Sequence, residues 1–174
     1  LAKTPLAKAM GLKPGAFSFN VAGGRCDTCK GLGFIEEDLS FLGEMRLTCP
    51  DCNGKRFKEN VLSIDYKGNN LSDILAMTVE QARELFYDQK SICKVLDKTV
   101  ELGLGYVTLG QNTSSFSGGE AQRLKLLNIL TESKDDKPRI LIFDEPTTGL
   151  SDRDVHVLLD EFEALTASGH TVVV

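Results

Sequence analysis

Four of the five cysteines in this 174-residue chain occur in two C-x-x-C pairs. Each pair can place two thiolates on one side of a tight turn, and Gly31 and Gly54 supply small residues just after the pairs. Four thiolates at ~2.3 Å suit tetrahedral Zn²⁺ and leave no open coordination position, which indicates a structural site. A pair of redox-active dithiols, or unrelated buried thiols, is the alternative interpretation. The zinc prediction rests on the spacing C-x2-C-x19-C-x2-C, formed by Cys26, Cys29, Cys49 and Cys52.

Basic residues flank these cysteines in the sequence. Arg25 precedes the first predicted ligand, and Lys55, Arg56 and Lys58 follow the last one. Such side chains could contact the phosphates of a DNA backbone. A solvated charged face explains them equally well.

A second group of residues opens a predicted helix with the letters SGGE. Ser117 and Glu120 fit a capping box, and Gly118 and Gly119 let the backbone approach an anion closely. Exposed N–H groups and the helix dipole at such an N-terminus favour a phosphate. An ordinary helix cap is the simpler interpretation of this segment taken alone.

Two carboxylates follow the apolar segment ILIF. Asp144 ends a predicted buried strand, the position at which P-loop ATPases place a ligand of Mg²⁺. Glu145 comes next and is placed to activate a water molecule for attack on a γ-phosphate. The chain has no G-x-x-x-x-G-K-[ST] loop that would itself hold a nucleotide.

The elements that must position these groups follow from turn signals and hydrophobic periodicity. Residues 1–20 are predicted to be a linker that becomes extended, with a strand in FSFNV. Residues 21–60 form the zinc-binding module, two strands joined by a turn at residues 40–43. Residues 61–115 form a mainly helical subdomain, with a strand at 61–66, a capping box in TVEQ and a helix stop at Gly103. Cys93 is predicted to be a core thiol of that subdomain.

Residues 116–174 alternate between helix and strand. A helix over residues 118–131 is predicted to bury one side, and RILIFDEP is predicted to be a strand buried in a parallel sheet. A further helix ends at Gly169, and HTVVV is the next strand. The α-β-α-β order predicts an α/β fold. The residues expected on the buried side of the first helix are Ala121, Leu124, Leu127 and Leu130.

Composition narrows the function classes. The formal net charge is -5, yet residues 1–60 carry nine Lys/Arg against seven Asp/Glu. Any contact with nucleic acid is therefore expected through a local surface, or mainly through parts of a longer protein outside this chain. No apolar run approaches the ~18 residues of a membrane span, and no secretory signal is visible. Both ends are expected to be cut from a longer protein of the reducing cytoplasm.

The combination of motifs resembles a known family. SGGE followed by Gln122, together with LIFDEP, is similar to the signature motif and Walker B strand of ATP-binding cassette (ABC) ATPases. FSFNVAGGRCDTCKGLG, the second cysteine pair, SGGEAQRLKL and DEPTTGL resemble the UvrA family of DNA-repair ATPases. The resemblance covers nearly the whole chain, from KPGAFSFN to HTVVV. It implies a partial ABC cassette without its Walker A half, carrying an inserted four-cysteine zinc hairpin and a small helical signature subdomain.

The resemblance also implies ligands and partners. The segment from Ser117 to Glu120 would face the γ-phosphate of ATP held by another cassette, Asp144 would bind Mg²⁺, and Glu145 would be the catalytic base. The P-loop is expected upstream of Leu1, and a switch histidine is expected beyond the last strand. A UvrA-like protein is a homodimer that binds damaged double-stranded DNA and loads a UvrB-like partner, with no membrane association.

Two alternatives stay open at this level. Ser151 stands where the UvrA family commonly has histidine, which leaves room for a UvrA-like paralogue that protects against DNA-binding drugs. CDTCKGLG also matches the zinc domain of DnaJ-type chaperones. A chaperone module would leave SGGE and LIFDEP unexplained.

Overall fold

The computed structural model describes residues 1–38, 44–131, 138–148, 150 and 152–174. The chain divides into two compact units, Leu1–Ala76 and Met77–Val174. The turn predicted at residues 40–43 and Ser151 lie outside the described residues. The finer division at residues 20, 60 and 115 stays a prediction.

The first unit is built from short elements around a β-hairpin. Strands β1 and β2 pair antiparallel from Phe34 opposite Thr48 to Asp38 opposite Glu44, which confirms the predicted hairpin. A short 3₁₀ helix covers Pro14–Phe17. The elements are α1 (Pro5–Ala9), β1 (Phe34–Asp38), β2 (Glu44–Thr48), α2 (Glu59–Leu62), β3 (Asp65–Tyr66), β4 (Asn69–Asn70) and α3 (Leu71–Ala76).

Two strand predictions in this unit were wrong. FSFNV forms the end of the 3₁₀ helix followed by turns, because Pro14 presets a helical φ at its start. Ala16, the residue just before this segment, lies tightly against Gly24, since a Cβ added to Gly24 would lie 1.8 Å from the carbonyl oxygen of Ala16. Residues 61–62 end helix α2 and only Asp65–Tyr66 are extended, because Val61 and Ile64 are buried together one helical turn apart.

The second unit carries the longer helices and a two-stranded parallel sheet. β5 and β6 pair from Ile140 opposite Thr171 to Ile142 opposite Val173, as the alternation of helix and strand predicted. The elements are α4 (Val79–Leu85), α5 (Lys90–Glu101), α6 (Gly118–Thr131), β5 (Ile140–Ile142), α7 (Asp152–Ala167) and β6 (Thr171–Val173). The predicted capping box is present, with Thr78 and Gln81 exchanging backbone and side-chain hydrogen bonds of 3.0 and 3.2 Å.

The core of this unit differs from the predicted helical stripe. Leu126 and Leu127 are buried, whereas Leu124 and Leu130 are only partly buried. Helix α6 is covered on more than one side, because its leucines pack with residues from α7, from β5 and from the end of α5. The buried cluster consists of Leu102, Leu126, Leu127, Leu141, Leu158, Phe162 and Leu165.

Two burial predictions were also wrong. Leu141 is buried, but Ile140 and Ile142 are 71% and 76% exposed, so β5 is covered on one face by the described residues. Cys93 is half-buried on α5, where its thiol donates to the carbonyl oxygen of Phe86 at 3.0 Å. It belongs to the helix surface because its neighbours Ile92 and Val95 are exposed.

No helix in the described part of the chain combines the length and the apolar character that crossing a membrane requires.

Candidate metal centre and candidate nucleotide site

The four paired cysteines converge on one buried point. Their sulfur atoms all lie within 4.8 Å of one another, and none of the four residues is more than 8% exposed. The Cys29 and Cys52 sulfurs are 3.6 Å apart, and the Cys26 and Cys49 sulfurs are 3.9 Å apart. A zinc ion with four sulfurs at ~2.3 Å has sulfur–sulfur edges of about 3.8 Å. The observed donor set therefore fits tetrahedral Zn²⁺.

Each cysteine pair ends in a turn of its own, and the two turns have the same backbone conformation. Lys30 and Gly31 have φ values of 52° and 89°, and Asn53 and Gly54 have φ values of 48° and 81°. Glycine adopts this left-handed region without a Cβ clash, which explains the two glycines that the sequence places there. At Gly31 there is also no room for a side chain, since a Cβ would lie 2.8 Å from the carbonyl oxygen of Phe19.

Backbone hydrogen bonds lock each turn to a neighbouring segment. The N–H of Cys26 donates to the carbonyl oxygen of Arg56 at 2.8 Å, and the N–H of Cys49 donates to that of Gly33 at 3.0 Å. The N–H of Gly33 also donates to the Cys29 sulfur at 3.2 Å. The metal centre is thus positioned by the main chain on both sides.

The thiols differ in acidity. Hydrogen bonding from the backbone N–H of Cys52 lowers the pKa of the Cys49 thiol to about 7. Burial raises the pKa of the Cys52 thiol to about 12. Because zinc binds the thiolate form, metal binding must displace a proton from Cys52 at neutral pH.

Three of the four flanking basic residues make contacts within the chain. Nζ of Lys58 is 2.8 Å from a carboxylate oxygen of Asp27, and a guanidinium nitrogen of Arg25 donates to the carbonyl oxygen of Phe19 at 3.3 Å. The guanidinium of Arg56 lies 5.7 Å from the centre of the Phe19 ring. Lys55 is exposed. Their contact with DNA stays a prediction.

The start of α6 carries the predicted capping box. The N–H of Ser117 donates to Oε2 of Glu120 at 2.7 Å, and the N–H of Glu120 donates to Oγ of Ser117 at 3.3 Å. Open space surrounds the position of a Cβ on Gly118. The hydroxyl of Tyr106 donates to Oε1 of Glu120, a contact that sequence reasoning missed because Tyr106 lies in a loop 14 residues away.

We predict a lowered pKa for Glu120. The Tyr106 hydroxyl and then the Ser117 N–H stabilise its charged form and hold the pKa of Glu120 below its ordinary value. Its contribution to stability is therefore complete above the ordinary glutamate pKa and is lost as pH falls through the lowered value. Tyr106→Phe should raise the Glu120 pKa in a carboxyl-detected NMR titration, whereas Tyr87→Phe should not. An unchanged Glu120 pKa in Tyr106→Phe would contradict this assignment.

The loop after β5 presents the predicted carboxylates. Asp144 and Glu145 are both exposed, and Glu145 adopts a φ of 44°. A non-glycine residue in that region costs about 1–3 kcal/mol, and such residues cluster at functional sites. Thr148 supports the turn, because its N–H donates to the carbonyl oxygen of Glu145 at 3.1 Å and its hydroxyl contacts the Glu145 carboxylate at 3.2 Å.

The start of α6 and the loop after β5 contact each other directly. A Cβ added to Gly119 would lie 2.9 Å from the carbonyl oxygen of Thr148, so the second glycine allows a close approach of two backbones. Nε2 of Gln122 donates to the carbonyl oxygen of Asp144 at 2.8 Å. The motifs SGGE and DE thus form one continuous surface. Sequence reasoning did not assign a role to Gln122 or Thr148, although both lie in the motifs that it singled out.

In this mixed α/β arrangement, a capped helix lies beside the C-terminal end of a strand of a parallel sheet. This is the arrangement of an ABC ATPase cassette. The sequence matches the ABC transporter family over residues 30–148, and the chain belongs to that family. Its relatives include the UvrABC system protein A of Aquifex aeolicus (strain VF5) and that of Staphylococcus aureus (strain COL), each 47% identical over 173 residues. The match covers 99% of this chain, and 19% and 18% of those relatives.

A solved structure shows the same relationship. The crystal structure of UvrA2 from Deinococcus radiodurans is 44% identical in sequence, with a TM-score of 0.89 over 99% of this chain and 21% of that one. The predicted fold class and resemblance are therefore confirmed. The chain spans about a fifth of the length of these relatives, so what a whole protein does is a matter for proposal.

Proposed function

We propose that this chain is part of an ATP-hydrolysing protein that recognises DNA damage in nucleotide excision repair. The observation that carries the proposal is the contact between the SGGE helix start and the Asp144–Glu145 loop, in a chain that also holds a four-cysteine centre. Its relatives named UvrABC system protein A support the repair role.

The residues of the two ATPase motifs have separate roles in this proposal. Ser117, Gly118 and Gly119 offer a hydroxyl and backbone N–H groups to the γ-phosphate of ATP held by a second cassette. Asp144 is the carboxylate that would hold Mg²⁺, and its exposure at a strand end suits an ion that keeps waters and phosphate oxygens as other ligands. When bound, Mg²⁺ would neutralise phosphate charge. Glu145 would accept a proton from the attacking water.

The zinc module would couple this site to DNA. Zinc supplies folding energy to a hairpin too small to be stable alone, and thereby presents a rigid surface. Arg25, Lys55, Arg56 and Lys58 lie on the segments next to the cysteines, where they would contact the backbone of a damaged duplex. In a homodimer, ATP binding would close cassettes against each other, and the complex would load a UvrB-like partner.

A paralogous role in resistance to DNA-binding drugs is the second candidate. It is favoured by Ser151 in the sequence and by the similarity of this chain to the structure of UvrA2. The DnaJ-type chaperone alternative is not supported, because the family match from residue 30 to residue 148 runs through the second cysteine pair into the residues of the ATPase motifs.

The test uses a longer protein that contains this chain together with a P-loop. We expect its ATP turnover to change on addition of lesion-containing duplex more than on addition of undamaged duplex. Lys55→Ala should weaken duplex binding and reduce the slope of log K against log salt by about one, as for a lost phosphate contact. Lys90→Ala, on α5 in the other unit, is the matched control. Equal binding of both duplexes, with no effect on turnover, would overturn the repair proposal.

A further inference from the structure

A side-chain hydrogen bond joins Gln122 of α6 to the loop after β5. Its Nε2 donates to the carbonyl oxygen of Asp144 at 2.8 Å. A carbonyl oxygen only accepts, so the amide nitrogen must face it. Its own Oε1 is buried and has no partner within the part of the chain that the structure describes. The orientation of this amide is therefore set by its bond to Asp144.

That carbonyl belongs to the peptide bond between Asp144 and Glu145. Because the peptide is planar, a rotation of this carbonyl turns the whole unit and changes the φ of Glu145. Glu145 is held at a φ of 44°, where a non-glycine residue stays only if its surroundings impose it. The Gln122 bond acts on the one peptide whose rotation would release that φ.

The other end of the same turn is also held. Thr148 contacts both the carbonyl oxygen and the carboxylate of Glu145, and its own carbonyl oxygen lies against Gly119. Helix α6 therefore touches the loop on both sides of Glu145, through Gln122 before it and Gly119 after it. A shift of the helix start would change both contacts at once.

We infer that Gln122 is a positioning residue for Glu145: it holds the Asp144–Glu145 peptide in the orientation that aims the Glu145 carboxylate. This inference rests on the proposed catalytic role of Glu145. Gln122 acts on Glu145 through the Asp144–Glu145 peptide. It also links the helix start that would face the ATP of one cassette to the catalytic carboxylate of its own cassette.

The activity test uses Gln122→Met, which keeps the length of the side chain and removes the donor, in the longer ATPase. We expect kcat to fall about 10–100-fold, as for the loss of an outer-shell partner, with KM for ATP nearly unchanged. In a Glu145→Gln background the same change should cause little further loss, because both act on one step. An unchanged kcat, or a fully additive loss, would overturn the inference.

A second readout works in the 174-residue chain without any ATPase activity. Gln122→Met should move the backbone amide resonance of Glu145 and speed hydrogen exchange at the Thr148 N–H. Asn128→Leu, which removes an exposed amide from the same helix, should change neither. Gln122→Glu, isosteric but unable to donate when ionised, replaces the Met variant if that one does not fold. Unmoved signals in a folded variant would refute the inference, whereas moved signals with an inactive wild-type ATPase would refute only the proposed function.

Discussion

Replacing Cys49 with alanine is expected to remove the metal from this chain. The wild-type chain, expressed with zinc, should contain about one zinc per molecule, and Cys49→Ala should contain close to none. Cys49 is fully buried, and its sulfur lies 3.9 Å from that of Cys26 inside the four-sulfur cluster. Structural zinc binding contributes about 10–16 kcal/mol of apparent free energy in small zinc-dependent domains, so the first unit should also lose stability.

Elemental mass spectrometry measures the zinc, and the melting of the first unit measures the stability. Cys93→Ser is the matched control, because Cys93 lies in the other unit, outside the cluster, and donates to a backbone carbonyl. A full zinc content in Cys49→Ala would refute the four-cysteine centre. Absence of zinc from the wild-type chain would refute it as well.

Replacing Glu145 with glutamine is expected to stop ATP turnover and preserve ATP binding. The amide keeps the size of the side chain, and its nitrogen cannot accept the proton of the attacking water. General-base catalysis contributes about 10²–10⁴-fold, so kcat of the longer protein should fall by that factor with little change in nucleotide affinity. Steady-state phosphate release and equilibrium binding of a fluorescent ATP analogue measure the two quantities.

Glu163→Gln is the control for that variant. Glu163 is an exposed glutamate on α7, and the same change of charge there should leave kcat unaltered. Normal phosphate release by Glu145→Gln would remove Glu145 from the role of base. A parallel loss of ATP binding would indicate that the carboxylate holds the nucleotide site together instead.

Much of the candidate site could be predicted because its signals are local. A C-x-x-C pair followed by glycine specifies its own turn, since backbone N–H groups and a positive φ are set within a few residues. The capping boxes at Thr78 and Ser117 are also local, because donor and acceptor lie three residues apart. The parallel pairing of β5 with β6 followed from the helix between them.

Other features of the fold could not be predicted because they depend on tertiary packing between segments that are distant in the sequence. Alternation in FSFNV suggested a strand, but a strand needs a partner, and Phe19 of this segment instead packs against the turn at Gly31. The buried side of α6 shifted to Leu126 and Leu127 because α6 is covered from several directions. The exposure of Ile140 and Ile142 could not be predicted from their apolar character, since the described part of the chain covers only one face of β5.

The sequence by itself determined the chemistry available to this protein: four paired thiols, a capped glycine-rich helix start and two adjacent carboxylates. These are properties of short contiguous segments, and their physical meaning does not depend on distant residues. Only the tertiary structure decided how these groups are joined. It placed Gln122 on the Asp144 carbonyl, Tyr106 on Glu120 and Gly119 against Thr148, because each contact connects residues that the chain brings together only by packing α6 against the end of β5 and the loops around it.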